Sequence, residues 1–331
     1  MKQIYGIDLS KEKFDVCFLN EKKELIYLEI KNKYSPICKF LSKLKQNSIL
    51  CIEHTGVYGY LLMFLANSFN VQICAIPGYE IKHSLGLQKG KSDSIDASRI
   101  REYGERFYDK LQKTTFYSEE MNELKELHSL RKLLVKQHKM LETSMKEKDK
   151  QPFCSLMVNK IAETTLETLN KQIEEIENQI QEIITSNEEF KANSCLIQSI
   201  KGIGPVTTNE LIIKTHNFQK IQTAKKGASF AGICPFPDKS GKMVKKSKVS
   251  KMSDKSLKTL LFLCASNAIQ HNKDMKHYYE KKLAEGKPKY LALNNVANKL
   301  IKTVYAILES RQMYDPFYIC PDPRKTDKKV A

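Results

Sequence analysis

Apolar and polar positions keep a different rhythm in each third of the chain. Near the N-terminus short apolar runs alternate with turn-like and helical stretches. "QIYGIDLS" (3–10), "FDVCFLN" (14–20) and "LIYLEI" (25–30) read as three strands in a meander, and "SILCIE" (48–53) and "VQICAIP" (71–77) as two buried strands. "SPICKFLSKLKQ" (35–46) and "YGYLLMFLANSF" (58–69) lie between them with helical periodicity. Strands alternating with helices predict an α/β layer with a mixed sheet.

From residue 119 the period changes. In "LETLNKQIEEIENQIQEII" the residues Leu166, Leu169, Ile173, Ile176, Ile180 and Ile183 follow one another at spacings of three and four, and upstream Leu127, Leu134 and Leu141 repeat at seven. This is the a/d seam of a coiled coil. "KEKDKQPF" (146–153) breaks the two helices apart. An antiparallel hairpin within one chain and a dimerisation arm both satisfy the pattern, and the reading adopted is the arm. Beyond residue 191 the chain reads as helical, with a lysine-rich, loop-rich stretch over 225–256 and helices near 256–270, 275–285 and 290–310. The tail "DPFYICPDPRKTDKKVA" is proline-rich and charged and is expected to fray. The domain division expected is 1–112, an arm at 113–190, a basic domain at 191–312 and a tail at 313–331.

Charge sharpens this division. The chain of 331 residues carries a net charge of +17. Residues 191–331 hold 27 basic and 10 acidic side chains, which accounts for the whole excess. So one-sided a field suits a polyanion, most simply nucleic acid. The chain has nine cysteines and no CxxC pair, and most of them stand among apolar neighbours, as expected of buried thiols in a cytoplasmic protein rather than a zinc site or disulfide framework. No apolar run is long enough for a membrane span, and the N-terminus enters a strand directly, without a signal-peptide pattern.

Candidate chemistry begins with acids. Asp8 and Glu53 each end an apolar strand, where α/β sheets expose reactive side chains. "KSDSIDASRI" (91–100) adds Asp93 and Asp96 behind Ser92, a good N-cap. Acids in a first helical turn are favoured by the helix dipole alone, yet residues three apart share a face. Four acids at one sheet edge repel one another unless cations hold them, and oxygen ligands suit Mg²⁺. "SIKGIGPVTTNELI" (199–212) reads as a helix–hairpin–helix or an ordinary helix–helix turn. Lys201, Gly202 and Gly204 would grip a phosphate, with Gly202 and Gly204 permitting a tight turn and Pro205 opening the next helix. Lys239, Lys242, Lys245, Lys246, Lys248, Lys251, Lys255 and Lys258 crowd the following stretch around Ser240 and Gly241, and no histidine base is near. On composition alone that serine–glycine pair is a turn.

Taken together, "GIDLSKEKFDV", "EHTGVYGYL", "KSDSIDA", "IKGIGPVTTNEL", "FAGICPFPDKSGK" and "HYYEKKLAEGKPKYLALNNVANKL" resemble, in that order and from about residue 2 to about 312, the insertion-sequence-110 transposases, the bridge-RNA-guided recombinases that include the Piv-type DNA invertases. The resemblance implies an α/β RuvC-like domain of the ribonuclease H fold whose D-E-D-D set is Asp8, Glu53, Asp93 and Asp96 with Mg²⁺ bound. It further implies a coiled-coil arm and a mainly α transposase domain with Ser240 as nucleophile, forming a phosphoserine link to DNA. The implied partners are donor and target DNA, a structured non-coding guide RNA, and further copies of the chain, as a homodimer that becomes a tetramer on DNA. The sequence departs from the family pattern at Ser92, Ser253 and Lys258, where threonine or asparagine, glycine and arginine are common, and at Lys239, where another serine is common. Two other readings stand beside this one: a RuvC-like junction nuclease that uses water, and a non-catalytic nucleic-acid-binding protein derived from a transposon.

Overall fold

The computed structural model describes residues 3–54, 56–84, 86, 90, 92–114, 118–148, 155–240 and 243–316, with 57, 148, 237–240 and 243–247 described in their backbone alone. The chain forms two compact units, residues 1–117 and 118–331. The tail from 317 onward and the break at 149–154 lie outside the described residues.

In the first unit, β1 (Gln3–Leu9), β2 (Lys13–Leu19) and β3 (Leu25–Lys31) form the expected meander. Helix α1 (Tyr34–Leu41) leads to β4 (Ser48–Glu53), and α2 (Tyr60–Ser68) to β5 (Gln72–Ile76). The short α3 (Gly78–Ser84) and the longer α4 (Asp93–Arg106) complete the unit. The sheet order is β3-β2-β1-β4-β5, antiparallel within the meander and parallel from β1 through β4 to β5. β4 is buried from Ser48 to Ile52 because helices cover both faces of the sheet, and a doubly covered strand reads as one apolar run without alternation. On one face Ile7, Phe14, Val16, Leu50 and Ile52 pack with Ile37, Phe40, Leu62 and Leu65 of α1 and α2. On the other, Ile4, Ile49, Cys51 and Cys74 pack with Ile100 and Tyr103 of α4. Cys17 is buried as well.

In the second unit α5 (Glu119–Lys148) and α6 (Leu156–Ser186) pack against each other. Within the chain the two seam-bearing helices pack on each other: Ile176, Ile180 and Ile183 of α6 are buried, Leu127, Leu134 and Leu141 of α5 are half-buried, and Arg131 of α5 donates its Nε to Glu177 Oε1 of α6 at 2.7 Å. Toward the far end the seam opens, with Leu166, Leu169 and Ile173 half-buried and Met140, Leu156, Met157 and Ile161 exposed. Helices α7 (Glu188–Gln198), α8 (Pro205–Thr215) and α9 (Ala224–Phe230) follow. A two-stranded hairpin, β6 (Phe236–Ser240) and β7 (Met243–Lys248), occupies the stretch expected to be loop-rich. Its lysines hid it: a two-stranded ribbon needs no apolar face, so it carries no alternation to read. Helices α10 (Lys255–His271), α11 (Lys273–Ala284) and α12 (Lys289–Ser310) match the expected segments closely. Among the described residues no helix is long and apolar enough to cross a membrane.

The buried carboxylate of Glu210 ties α5 to α8. It receives Lys132 Nζ at 2.6 Å and pairs with His128. Burial pushes this carboxyl up, but the hydrogen bonds from His128 and Lys132 outweigh that and hold it down at about 2. Sequence patterning passed over it, because a lone glutamate in "TTNELIIK" looks like a solvent-facing position.

Candidate active site

Parallel pairing of β1 with β4 brings Asp8 and Glu53 to one edge of the sheet, since Ile7 stands opposite Ile52 and each acid is the next residue. Helix α4 starts at Asp93, behind Ser92, whose Oγ accepts from the amide of Ile95 at 3.3 Å. The helix crosses the sheet at Gly6 and Gly104, where β-carbons would come within 2.1 Å of Ala97 O and 2.6 Å of Cys51 Sγ. That close approach carries Asp93 and Asp96, in the first turn of α4, into the field of Asp8.

The electrostatics record this grouping. The Asp8 carboxyl is pushed up to about 6, first by burial and then by Asp96, Asp93, Glu53 and Asp15. Asp15, absent from the sequence candidates, stands directly across from Asp8 in the β1–β2 ladder. Its own carboxyl is also raised, chiefly by burial, with Lys13 pulling the other way and Asp93 and Glu29 adding to the rise. Like charges opposite each other weaken a ladder. Their placement was readable in principle, because the seven-residue spacing across the turn in "DLSKEKFD" sets the two acids face to face.

Asp96 has an additional partner, and Glu53 a close neighbour. Arg99 Nη1 donates to Asp96 Oδ1 at 2.8 Å, and Arg99 Nη2 donates to the carbonyl of Gly90 at 2.9 Å. Glu53 leans over α3, since a β-carbon on Gly78 would meet its Oε1 at 2.1 Å. Among the described residues no three His, Cys, Asp or Glu side chains converge on one coordination sphere. The donor chemistry nevertheless fits a hard divalent ion: carboxylate oxygens, with Asp8 raised in energy by burial and by repulsion from Asp96, Asp93, Glu53 and Asp15.

In the second unit, Gly202 takes φ +114 and its missing β-carbon would lie 2.6 Å from Ala268 Cβ of α10, so glycine is required there. Gly204 has an ordinary φ of −100 and is the N-cap of α8, with Pro205 at the first helical position and no side chain over the cap. The turn therefore depends on Gly202 alone, while Gly204 leaves the helix N-terminus open. Lys201 is exposed beside it. Ser240 ends β6 opposite Met243. The side chains of Ser240, Lys239, Lys245 and Lys246, and the whole of Gly241 and Lys242, lie outside the described residues. Lys248, Lys251 and Lys255 are exposed, and Lys258 is half-buried with its Nζ 5.8 Å from the centre of the Phe262 ring.

Comparison with known proteins adds sequence-wide context. Residues 5–148 match a family model described as a transposase of the DEDD type found in IS110, and residues 194–280 match the transposase IS116/IS110/IS902 family. The chain is 25% identical over 324 residues to the pilin gene-inverting protein of Moraxella bovis, covering 95% of this chain and 98% of that protein. The pilin gene-inverting protein of Moraxella lacunata is similar to the same extent. An uncharacterized 44.8 kDa protein of insertion element IS116 from Streptomyces clavuligerus is 24% identical over 148 residues, 45% of this chain and 36% of that protein.

Proposed function

The chain belongs to the IS110 family of transposases, and from that premise we propose that it is a serine-type DNA recombinase working with a guide RNA and divalent cations. Transposase action on DNA comes with the family. The finer reading assigns the first unit to the RuvC-like class, with Asp8, Glu53, Asp93 and Asp96 as the residues that would hold Mg²⁺. The observation that carries it is the field at Asp8, to which three acids from β4 and α4 contribute together. Bound ions of this kind supply charge neutralisation at a phosphate and lower the pKa of an attacking hydroxyl.

The chain's own residues do the rest. Ser240 Oγ attacks the phosphorus of a DNA phosphodiester; the Oγ–P bond forms, the bridging P–O bond breaks, and the departing strand end takes up a proton. The energy of the broken ester is kept in the phosphoserine, so a second strand end can reverse the step without further input. Lys239, Lys242, Lys245, Lys246, Lys248, Lys251 and Lys258 offset phosphate charge, and Lys201, Gly202 and Gly204 bind backbone phosphates at the open end of α8. Base pairing by a structured RNA carries the choice of donor and target sequence. The apolar residues left exposed toward the far end of the α5–α6 hairpin support assembly with further copies, as a dimer and then a tetramer on DNA. Two relatives are named for inverting a pilin gene; the same chemistry on this chain would excise, insert or invert a segment.

Covalent trapping tests the reading. Protein, its RNA, labelled DNA and Mg²⁺ are combined and resolved on a denaturing gel. A protein–DNA adduct lost in both Ser240→Ala and Asp93→Ala is the expected result. Cleavage without an adduct, unchanged in Ser240→Ala, would instead assign a water-using nuclease. Binding without cleavage in any RNA context would leave only a nucleic-acid-binding protein.

A further inference from the structure

Beside the acid-lined edge lies a surface that the reaction above leaves unused. Asn32 joins three loops there. Its Nδ2 donates to the carbonyl of Ser10, just after β1, at 3.1 Å, and to that of Tyr58, in the 3₁₀ turn Gly56–Gly59 after β4, at 3.0 Å. The same turn rests on the end of β1, since a β-carbon on Gly59 would lie 3.2 Å from Leu9 Cδ1. The loops following Asp8 and Glu53 are therefore held together at this point.

Aromatic rings stand out from the segments that Asn32 joins. Tyr34 opens α1 at 64% exposure, and Tyr58 is 43% exposed. Tyr60 and Phe64, one turn apart on a single face of α2, are 52% and 46% exposed. Lys31 and Lys33 flank Asn32 and are exposed, and the stretch 31–43 contains four lysines and no acidic residue. Large exposed rings carried on the joined loops and on the helices that leave them mark an interaction surface. Lysines are depleted from the cores of protein–protein interfaces, so this mixture points away from a protein partner. A duplex hides its base faces in its own stack, whereas a single strand offers a flat face per nucleotide to an aromatic ring and a phosphate to a lysine.

We propose that Tyr34, Tyr58, Tyr60 and Phe64, with Lys31 and Lys33, form a platform for single-stranded DNA that lays an unpaired strand alongside the Asp8 edge. The inference rests on the reading that this edge works on DNA. Stacking supplies sequence-tolerant affinity, and the lysines set the path of the backbone.

The test uses the full chain with an oligothymidylate carrying 5-iododeoxyuridine, a base that photocrosslinks to rings it stacks on. Crosslinks should map to Tyr34, Tyr58, Tyr60 or Phe64. In anisotropy titrations, at salt high enough to suppress phosphate-only binding, Tyr60→Ala with Phe64→Ala should weaken the oligonucleotide about tenfold or more, while Tyr60→Phe should bind as the native chain does. Circular dichroism of these surface variants should be unchanged. Crosslinks confined to residues beyond 118, or an alanine pair that binds normally, would overturn the platform. An RNA of the same length bound far more tightly through the same rings would overturn its assignment to DNA. The outcomes separate from those of the reaction itself: a Ser240 adduct without aromatic crosslinks removes the platform and keeps the recombinase, while aromatic crosslinks without any adduct do the reverse.

Discussion

A β-carbon on Gly6 would lie 2.1 Å from the carbonyl oxygen of Ala97 and 2.3 Å from the amide nitrogen of Arg101. Both neighbours are backbone of α4, so neither can swing aside. Gly6→Ala must therefore push α4 off the sheet, at a cost of about 1–3 kcal/mol or more for overpacking. The same displacement draws Asp93 and Asp96 away from Asp8. Thermal unfolding should show the destabilisation, and strand cleavage should fall further than the loss of folded protein accounts for.

Gly78 offers the contrasting case. Its β-carbon would meet Glu53 Oε1, the far end of a flexible side chain. Gly78→Ala should shift the carboxylate with little effect on the fold, moving the melting temperature by no more than a few degrees while lowering cleavage. Equal activity in the native and Gly78→Ala proteins would show that the position of Glu53 is not critical.

Repulsion among the acids predicts a trade between stability and activity. Asp8→Asn removes a charge that Asp96, Asp93, Glu53 and Asp15 all oppose. Without divalent ions the variant should be more stable than the native chain at neutral pH, on the order of 1 kcal/mol or more, and it should not cleave DNA. Adding Mg²⁺ should stabilise the native chain and leave Asp8→Asn nearly unchanged in a melting experiment. Chelation should likewise stop cleavage while DNA remains bound, because binding relies on the lysines.

Glu210 anchors the base of the hairpin from complete burial. Glu210→Ala leaves Lys132 and His128 without their carboxylate and should destabilise the second unit by about 3–5 kcal/mol. Its acid dependence has a defined sign. The folded carboxyl sits at about 2, below the ordinary range near 4.3 of an unfolded chain. Its contribution is therefore complete above the unfolded value and is lost as pH falls toward 2. Urea titrations of the native chain between pH 6 and 3 should show this loss, reduced in Glu210→Gln.

Much of this architecture was legible along the chain. Periodicity located the five strands of the first unit, both long helices and the three helices after residue 255, because burial on one face or both imposes a repeat that composition cannot hide. Ser92 marked the start of α4 because only a short polar side chain accepts from an amide two or three residues on. Asp8, Glu53, Asp93 and Asp96 stood out one by one, as acids at strand ends and in a first turn.

Their company was decided only in three dimensions. Parallel pairing of β1 with β4 sets Asp8 beside Glu53, and the bare backbone of Gly6 lets α4 deliver Asp93 and Asp96; neither relation exists between neighbours in sequence. Asp15 joined the group through a ladder register, and Glu210 found its cations on a helix some eighty residues earlier. The seam of α6 told that a partner helix exists but not whose, because a heptad specifies a packing surface and leaves chain identity open; folding back onto α5 filled its base and left the far end partly bare. Local pattern reports what each segment needs to bury, while the meeting of distant segments is settled by the sheet register and close approaches that only the folded backbone makes.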